Sequence, residues 1–109
     1  MYNEIKNIYE LLYSNITTPY NLLDNAKLPN YSYVKYFKGN NGLIVEMECD
    51  IKEEGSAIFL YHFDDEDKLE MVVKKIENVE ETVFSRSEEL ERAVKRYNFQ
   101  KGKKPEAVI

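Results

Sequence analysis

One cysteine and one histidine stand among the 109 residues, and this scarcity excludes more chemistry than any residue present implies. The lone Cys49 forbids an internal disulfide and suits a reducing compartment. One His with one Cys cannot assemble a zinc site of the usual structural kind within one chain. Only four glycines occur, Gly39, Gly42, Gly55 and Gly102. They are isolated, so no glycine-rich phosphate loop exists. Apolar runs are short and broken by charge, none near the ~20 residues that span a bilayer. The opening residues Met1 to Lys6 lack the charged-then-apolar order of a secretion signal. Together these absences place the chain in the cytoplasm, away from membranes, with no cofactor expected.

What is present is charge, unevenly spread. The net charge of −5 divides into +1 over residues 1–45, −11 over 46–91 and +5 over 92–109. Phosphate contacts need clustered Lys and Arg, so the acidic middle argues against direct nucleic-acid binding. A protein partner or self-association remains. The size suits one domain, expected over 1–99, with a basic, mobile tail over 100–109.

The chain reads as α+β. Tyr2, Ile5, Tyr9, Leu12 and Ile16 recur at helical spacing and predict an N-terminal amphipathic helix over 2–16. Thr18-Pro19 reads as a fresh helix start, with a capping hydroxyl and then Pro at the first position, predicting a short second helix over 19–26. From residue 31 the period becomes two. Segments 31–38, 43–52, 56–63 and 68–76 predict a four-stranded antiparallel meander. Residues 77–84 fit either a fifth strand or a loop. Ser85 and Glu88 form a capping box opening a C-terminal amphipathic helix to about Tyr97, with Leu90, Ala93, Val94 and Tyr97 as its inner stripe. The helices are expected mainly on one face of the sheet.

Turn chemistry suggests the register. Asn41-Gly42 favours a two-residue hairpin loop, which would set Lys35 opposite Glu48. A loop at Glu53-Glu54-Gly55, with Gly in the left-handed region, would set Met47 opposite Tyr61. A loop at Asp65-Glu66-Asp67 would set Tyr61 opposite Met71. One face then collects Val34, Tyr36, Leu43, Val45, Met47, Cys49, Ile51, Ala57, Phe59, Tyr61, Phe63, Leu69, Met71 and Val73, the expected core. The other collects Tyr31, Tyr33, Phe37, Glu46, Glu48, Asp50, Ile58, Leu60, His62, Glu70 and Val72. This mixed face is the candidate interaction surface, because Tyr and apolar groups together favour contact.

No catalytic constellation emerges. The expected register separates Cys49 from His62, so base and thiol cannot meet. Glu46 and Glu70 would flank His62 in a cross-strand row, an arrangement that would favour imidazolium and suit a pH switch. Its plainer reading is a surface charge ladder. The alternating Glu46, Glu48 and Asp50, with the acidic turn 64–67, could imitate nucleic-acid charge in a partner's groove, or simply be a solvated strand. The expectation is a small acidic protein-interaction module without catalysis, homodimeric or bound to another protein. The alternatives are an inhibitor of a nucleic-acid-binding protein and a small-molecule binder using the tyrosines.

Overall fold

The strand pattern read from alternation forms an antiparallel sheet, and it closes with one strand more than the four predicted. A computed structural model describes residues 17–108, with side chains placed from Thr17 to Phe99. The helix expected over 2–16 lies outside the described residues. Within them the order is a 3-10 helix Asn21–Lys27, β1 Tyr31–Lys38, β2 Leu43–Ile51, β3 Gly55–Phe63, β4 Leu69–Ile76, β5 Val79–Ser85 and an α-helix, α1, Arg86–Val108. The sheet is a meander of order β1-β2-β3-β4-β5, so the fold is α+β. The backbone divides into two compact units, 15–85 around the sheet and a second that includes α1.

Residues 77–84, readable as strand or loop, are strand. A two-residue turn at Glu77-Asn78 joins Ile76 to Val79, with Glu77 in the left-handed region at φ 54°.

The register departs from the expected one in three places. Lys35 stands opposite Glu46, not Glu48. The Gly39 N–H donates to the Gly42 carbonyl at 2.8 Å, which makes Asn40-Asn41 the loop. Gly42 serves another purpose: a Cβ there would lie 2.5 Å from the Phe63 carbonyl oxygen and nearer still to that of Asp64. Between β2 and β3, Met47 faces Phe59 rather than Tyr61, and Ile51 faces Gly55. Gly55 does occupy the left-handed region, at φ 83°. Both offsets are by two residues, so they leave every side chain on its expected face. The third turn falls where the sequence puts it, the Asp64 N–H donating to the Lys68 carbonyl at 2.9 Å. A bulge follows immediately, since Phe63 pairs with Leu69 but His62 with Met71. Glu70 is the extra residue. Beyond it β4 is turned over, and Val72 instead of Met71 faces Tyr61.

Alternation then defines two faces. The Met47 face carries Val34, Tyr36, Val45, Met47, Cys49, Ala57, Phe59, Tyr61, Phe63, Leu69, Val72 and Lys74. The His62 face carries Tyr33, Lys35, Phe37, Ile44, Glu46, Glu48, Ile58, Leu60, His62, Met71 and Val73. A bulge in β1 sets Tyr31 opposite Cys49 while Tyr33 faces Glu48. Tyr31 therefore joins the Met47 face.

The core lies on the Met47 face, where Leu22 packs with Val45, Met47 and Phe63. Val45 is 0% and Phe63 1% exposed, and each such side chain contributes about 1.5–3 kcal/mol by leaving water. Tyr31, Val34, Tyr36, Tyr61 and Leu69 surround them. Leu22 comes from the 3-10 helix, which begins at Asn21 rather than Pro19, with Tyr20 at its N-cap and no side-chain cap bond; the Thr18 hydroxyl instead braces the turn before it. That oxygen accepts the Asn21 N–H at 3.3 Å, and the Asn21 side-chain carbonyl accepts the Thr18 N–H at 3.0 Å. The turn is pinned to the sheet by Tyr36, whose hydroxyl donates to the Pro19 carbonyl at 2.6 Å. Burial is not confined to this face, because Val73 on the His62 face is only 6% exposed.

The helix α1 begins at Arg86, directly after Ser85, and runs to Val108 rather than ending near Tyr97. Gln and Lys after Phe99 are good helix formers, and the only interruption before Pro105 is Gly102, at a cost of about 1 kcal/mol. Glu88 and Glu89 fill its first turn, where the helix dipole favours negative charge. Arg92 pairs with Glu89 and Lys95 with Glu91 at 3.2 Å. Of the expected inner stripe, Ala93 is buried and Leu90 and Tyr97 are half-buried, but Val94 is exposed.

Candidate functional site

The predicted row of Glu46, His62 and Glu70 does not form. The two-residue offset puts Glu46 opposite Leu60, and His62 stands between Ile44 and Met71. Glu70 sits in the bulge, out of the row. Of the eleven residues assigned to the mixed face, Tyr31 and Val72 are on the Met47 face, each carried there by a bulge. Tyr33, Phe37, Glu46, Glu48, Ile58, Leu60 and His62 share the His62 face in three adjacent rows. Asp50, at the end of β2, is opposite Ser56.

One carboxylate on that face, Glu46, is engaged with a neighbour. The Tyr33 hydroxyl donates to Glu46 Oε2 at 2.7 Å, and this bond, aided by burial and the nearby charge of Glu48, pushes the phenol up to about 12. Lys35 stands opposite Glu46 and also lies 5.7 Å from the Phe37 ring centre. Ile58 separates Glu48 from Lys75 in the next row. Strand geometry thus intersperses both signs of charge with apolar groups.

The Met47 face has a second region that the sequence reading did not single out. The 3-10 helix covers the part nearest Phe63 and Val45. At the opposite end of the same face, Cys49 and Ala57 are buried, but among the described residues no element covers Ile51, Phe59 and Ile76, which are half-buried, or Val79, which is exposed. One open cleft of about 580 Å³ is lined by Asn30, Tyr31, Cys49, Asp50, Ile51, Lys52 and Phe59. A second, of about 390 Å³, is lined by Glu54, Lys74, Ile76, Glu77, Val79 and Glu81. The directly opposed pair Phe59 and Lys74 lies between them. Ile51, Phe59, Ile76 and Val79 supply the apolar lining, and beside them stand the carboxylates of Asp50, Glu54, Glu77 and Glu81 and the cations of Lys52 and Lys74.

Lys74 is the one cation on the rim of the second cleft, and it is held. Its Nζ donates to Glu54 Oε1 at 2.8 Å. That bond raises the Lys74 pKa, with burial opposing and the charges of Glu54 and Glu81 assisting. In the other cleft, burial pushes the Cys49 thiol up, a hydrogen bond with Tyr31 works the other way, and the charges of Asp50 and Glu48 add to the rise. A thiol so placed stays protonated at neutral pH and is a poor nucleophile. Burial likewise raises Tyr31 and Tyr61. The cleft therefore offers shape, apolar contact and carboxylates.

The acidic turn is a structural device. Asp64 Oδ1 accepts the N–H groups of Glu66 and Lys68, both at 2.9 Å, and Asp67 takes the left-handed conformation at φ 62°. The Tyr20 hydroxyl donates to Asp67 Oδ2 at 3.0 Å. Asp64, Asp65 and Glu66 place carboxylate oxygens within 4.8 Å of one another, but Asp64 is already occupied in closing the loop.

The open half of the Met47 face was legible only in part. Cys49, Ile51 and Phe59 were assigned to the expected core, but Tyr31 was assigned to the mixed face. Its second border is β5, and no arrangement of four strands could show it. Among the described residues no helix is long and apolar enough to cross a membrane. Comparison with protein-family models, with curated proteins and with solved structures returns no match for this chain.

Proposed function

We propose that the chain is a small acidic, cytoplasmic protein-interaction module without catalytic activity, and that its contact surface is the open half of the Met47 face. The observation carrying this reading is the pair of clefts on either side of Phe59 and Lys74, where Ile51, Ile76 and Val79 stand beside Asp50, Glu54, Glu77 and Glu81. Apolar ground edged by four carboxylates and two lysines, one of them held by Glu54, suits a protein segment that brings hydrocarbon to the centre and Lys or Arg to the edge. A second copy of this chain is the less favourable occupant, because these carboxylates would meet their own copies.

Nucleic-acid mimicry has less support. The Glu46 carboxylate is bonded to Tyr33, and Lys35 and Lys75 stand in the same rows as Glu46 and Glu48, which breaks up the acidic array. Small-molecule binding would call for convergent polar groups in an enclosed site, whereas these clefts are open. The test is affinity capture from native extract by the wild-type chain and by an Ile76→Ser/Val79→Ser variant, with circular dichroism to confirm its fold. A partner retained by the wild type and lost by the folded variant supports the reading. Equal retention by both refutes it.

A further inference from the structure

We infer that β5 is a docking edge, taking an extended basic segment of a partner protein as a further strand beside the Met47-face clefts. This inference rests on the interaction reading above and specifies how the partner is held. β5 is last in the sheet order, paired only with β4 among the described residues. Such an edge turns the N–H and C=O groups of alternate residues outward, a template for another strand. All five residues from Val79 to Val83 are exposed, and Val79 is 70% exposed.

The two edges of the sheet differ in charge. β1 carries Lys35 and Lys38, and the bulge after Tyr31 breaks its regular pairing. β5 carries Glu80 and Glu81, with Glu77 in the turn before it. Glu80 reaches Lys75 only at 3.7 Å. Lys74 Nζ, the cation opposite Glu81, is taken by Glu54. Two β5 edges brought together would oppose like charges, which destabilises a sheet pair. The acids therefore disfavour self-pairing while attracting Lys and Arg. The usable length is set by the bulge between Val72 and Val73, which leaves Val79 to Thr82 in regular register.

The test titrates the isotopically labelled chain with an acetylated, amidated heptapeptide alternating Lys and Val, and with the same peptide N-methylated at every residue. The second keeps the charges and side chains but cannot donate to an edge. The expected result is that the first peptide shifts amide signals over Val79–Thr82 and slows their hydrogen exchange. Methylation should weaken binding about tenfold or more, and so should Glu80→Lys, with circular dichroism verifying the fold. Shifts confined to Ile51, Phe59 and Ile76, indifferent to methylation, would overturn strand addition while leaving the cleft reading intact. No binding by either peptide would overturn both.

Discussion

The two halves of the Met47 face are made from the same strands and much the same residues, yet among the described residues only one has a covering element. Near Phe63, Val45 and Met47, the 3-10 helix delivers Leu22 and shuts out water. Toward Ile51, Phe59 and Ile76 no such cover is seen among the described residues, and the floor ends in exposed Val79. Apolar alternation decides which way a strand faces. It does not decide whether that face becomes core or contact surface; that depends on the covering element and where its anchors lie. Tyr36 and Thr18 fix the cover at one end.

The sharpest way to break this contrast is to remove a ring from each half. Phe63→Ala should lower stability by about 3–5 kcal/mol, the range for truncating a buried aromatic. Phe59→Ala, at the open end and only half-buried, should cost clearly less. Urea denaturation of both variants checks this, and equal losses would mean the two halves are equally closed. Gly42→Ala comes next, at about 1–3 kcal/mol. Its new methyl group would press on the Phe63 and Asp64 carbonyls, which are backbone and cannot swing aside. Gly55→Ala should cost about 1 kcal/mol, from left-handed strain alone, since nothing lies within 4 Å of a Cβ there. Thermal melts of the two glycine variants would separate a packing requirement from a conformational one.

The sheet faces were legible in the sequence wherever apolar and polar residues alternate without ambiguity. Along Val45, Met47 and Cys49, with Glu46 and Glu48 between them, an offset of two residues changes the partners but not the faces. The partners themselves were misjudged because Asn41-Gly42 suits a hairpin loop so well that its other possible use, close approach to the β3–β4 loop, is invisible without the third strand. Met71-Val72-Val73 is apolar throughout, so nothing in it signals that the bulge at Glu70 turns the strand over. The same is true where Tyr31 and Tyr33 flank Ser32. The candidate site suffered for the same reason: its His62 row depended on partners, and partners are what bulges and loop choice alter. Its replacement borders a strand whose sequence, Val79 to Ser85, is too charged at one end and too apolar at the other to alternate cleanly.

The anchor of the covered half can be tested by itself. Tyr36→Phe removes the bond to the Pro19 carbonyl and should cost about 1 kcal/mol. It should also change the alkaline limb of stability. Burial raises the Tyr36 pKa above its ordinary value of 10.0, and Tyr31, Tyr33 and Tyr61 are raised as well. A group with a raised folded pKa lends stability that is intact below its unfolded pKa and is lost as pH climbs through the folded one. The chain should therefore weaken from pH 10.0 upward, Tyr33 contributing until about 12. Denaturation at stepped alkaline pH should show a shallower decline for Tyr36→Phe. A parallel decline would place that phenol in water.

The smallest expected change in stability is at Val79, and it is the most informative about the open half. Val79→Ser replaces a side chain that is 70% exposed and should alter the unfolding free energy by no more than about 0.5 kcal/mol, as exposed positions usually do. A closed half would respond differently, because an apolar group that is shielded in solution loses its burial energy when made polar. Urea midpoints therefore decide whether Val79 is free surface. A loss comparable to that of Gly42→Ala would mean the half read as open is covered in the folded chain. An unchanged midpoint, accompanied by weaker peptide binding, would show an apolar residue whose contribution is realised only when a partner arrives.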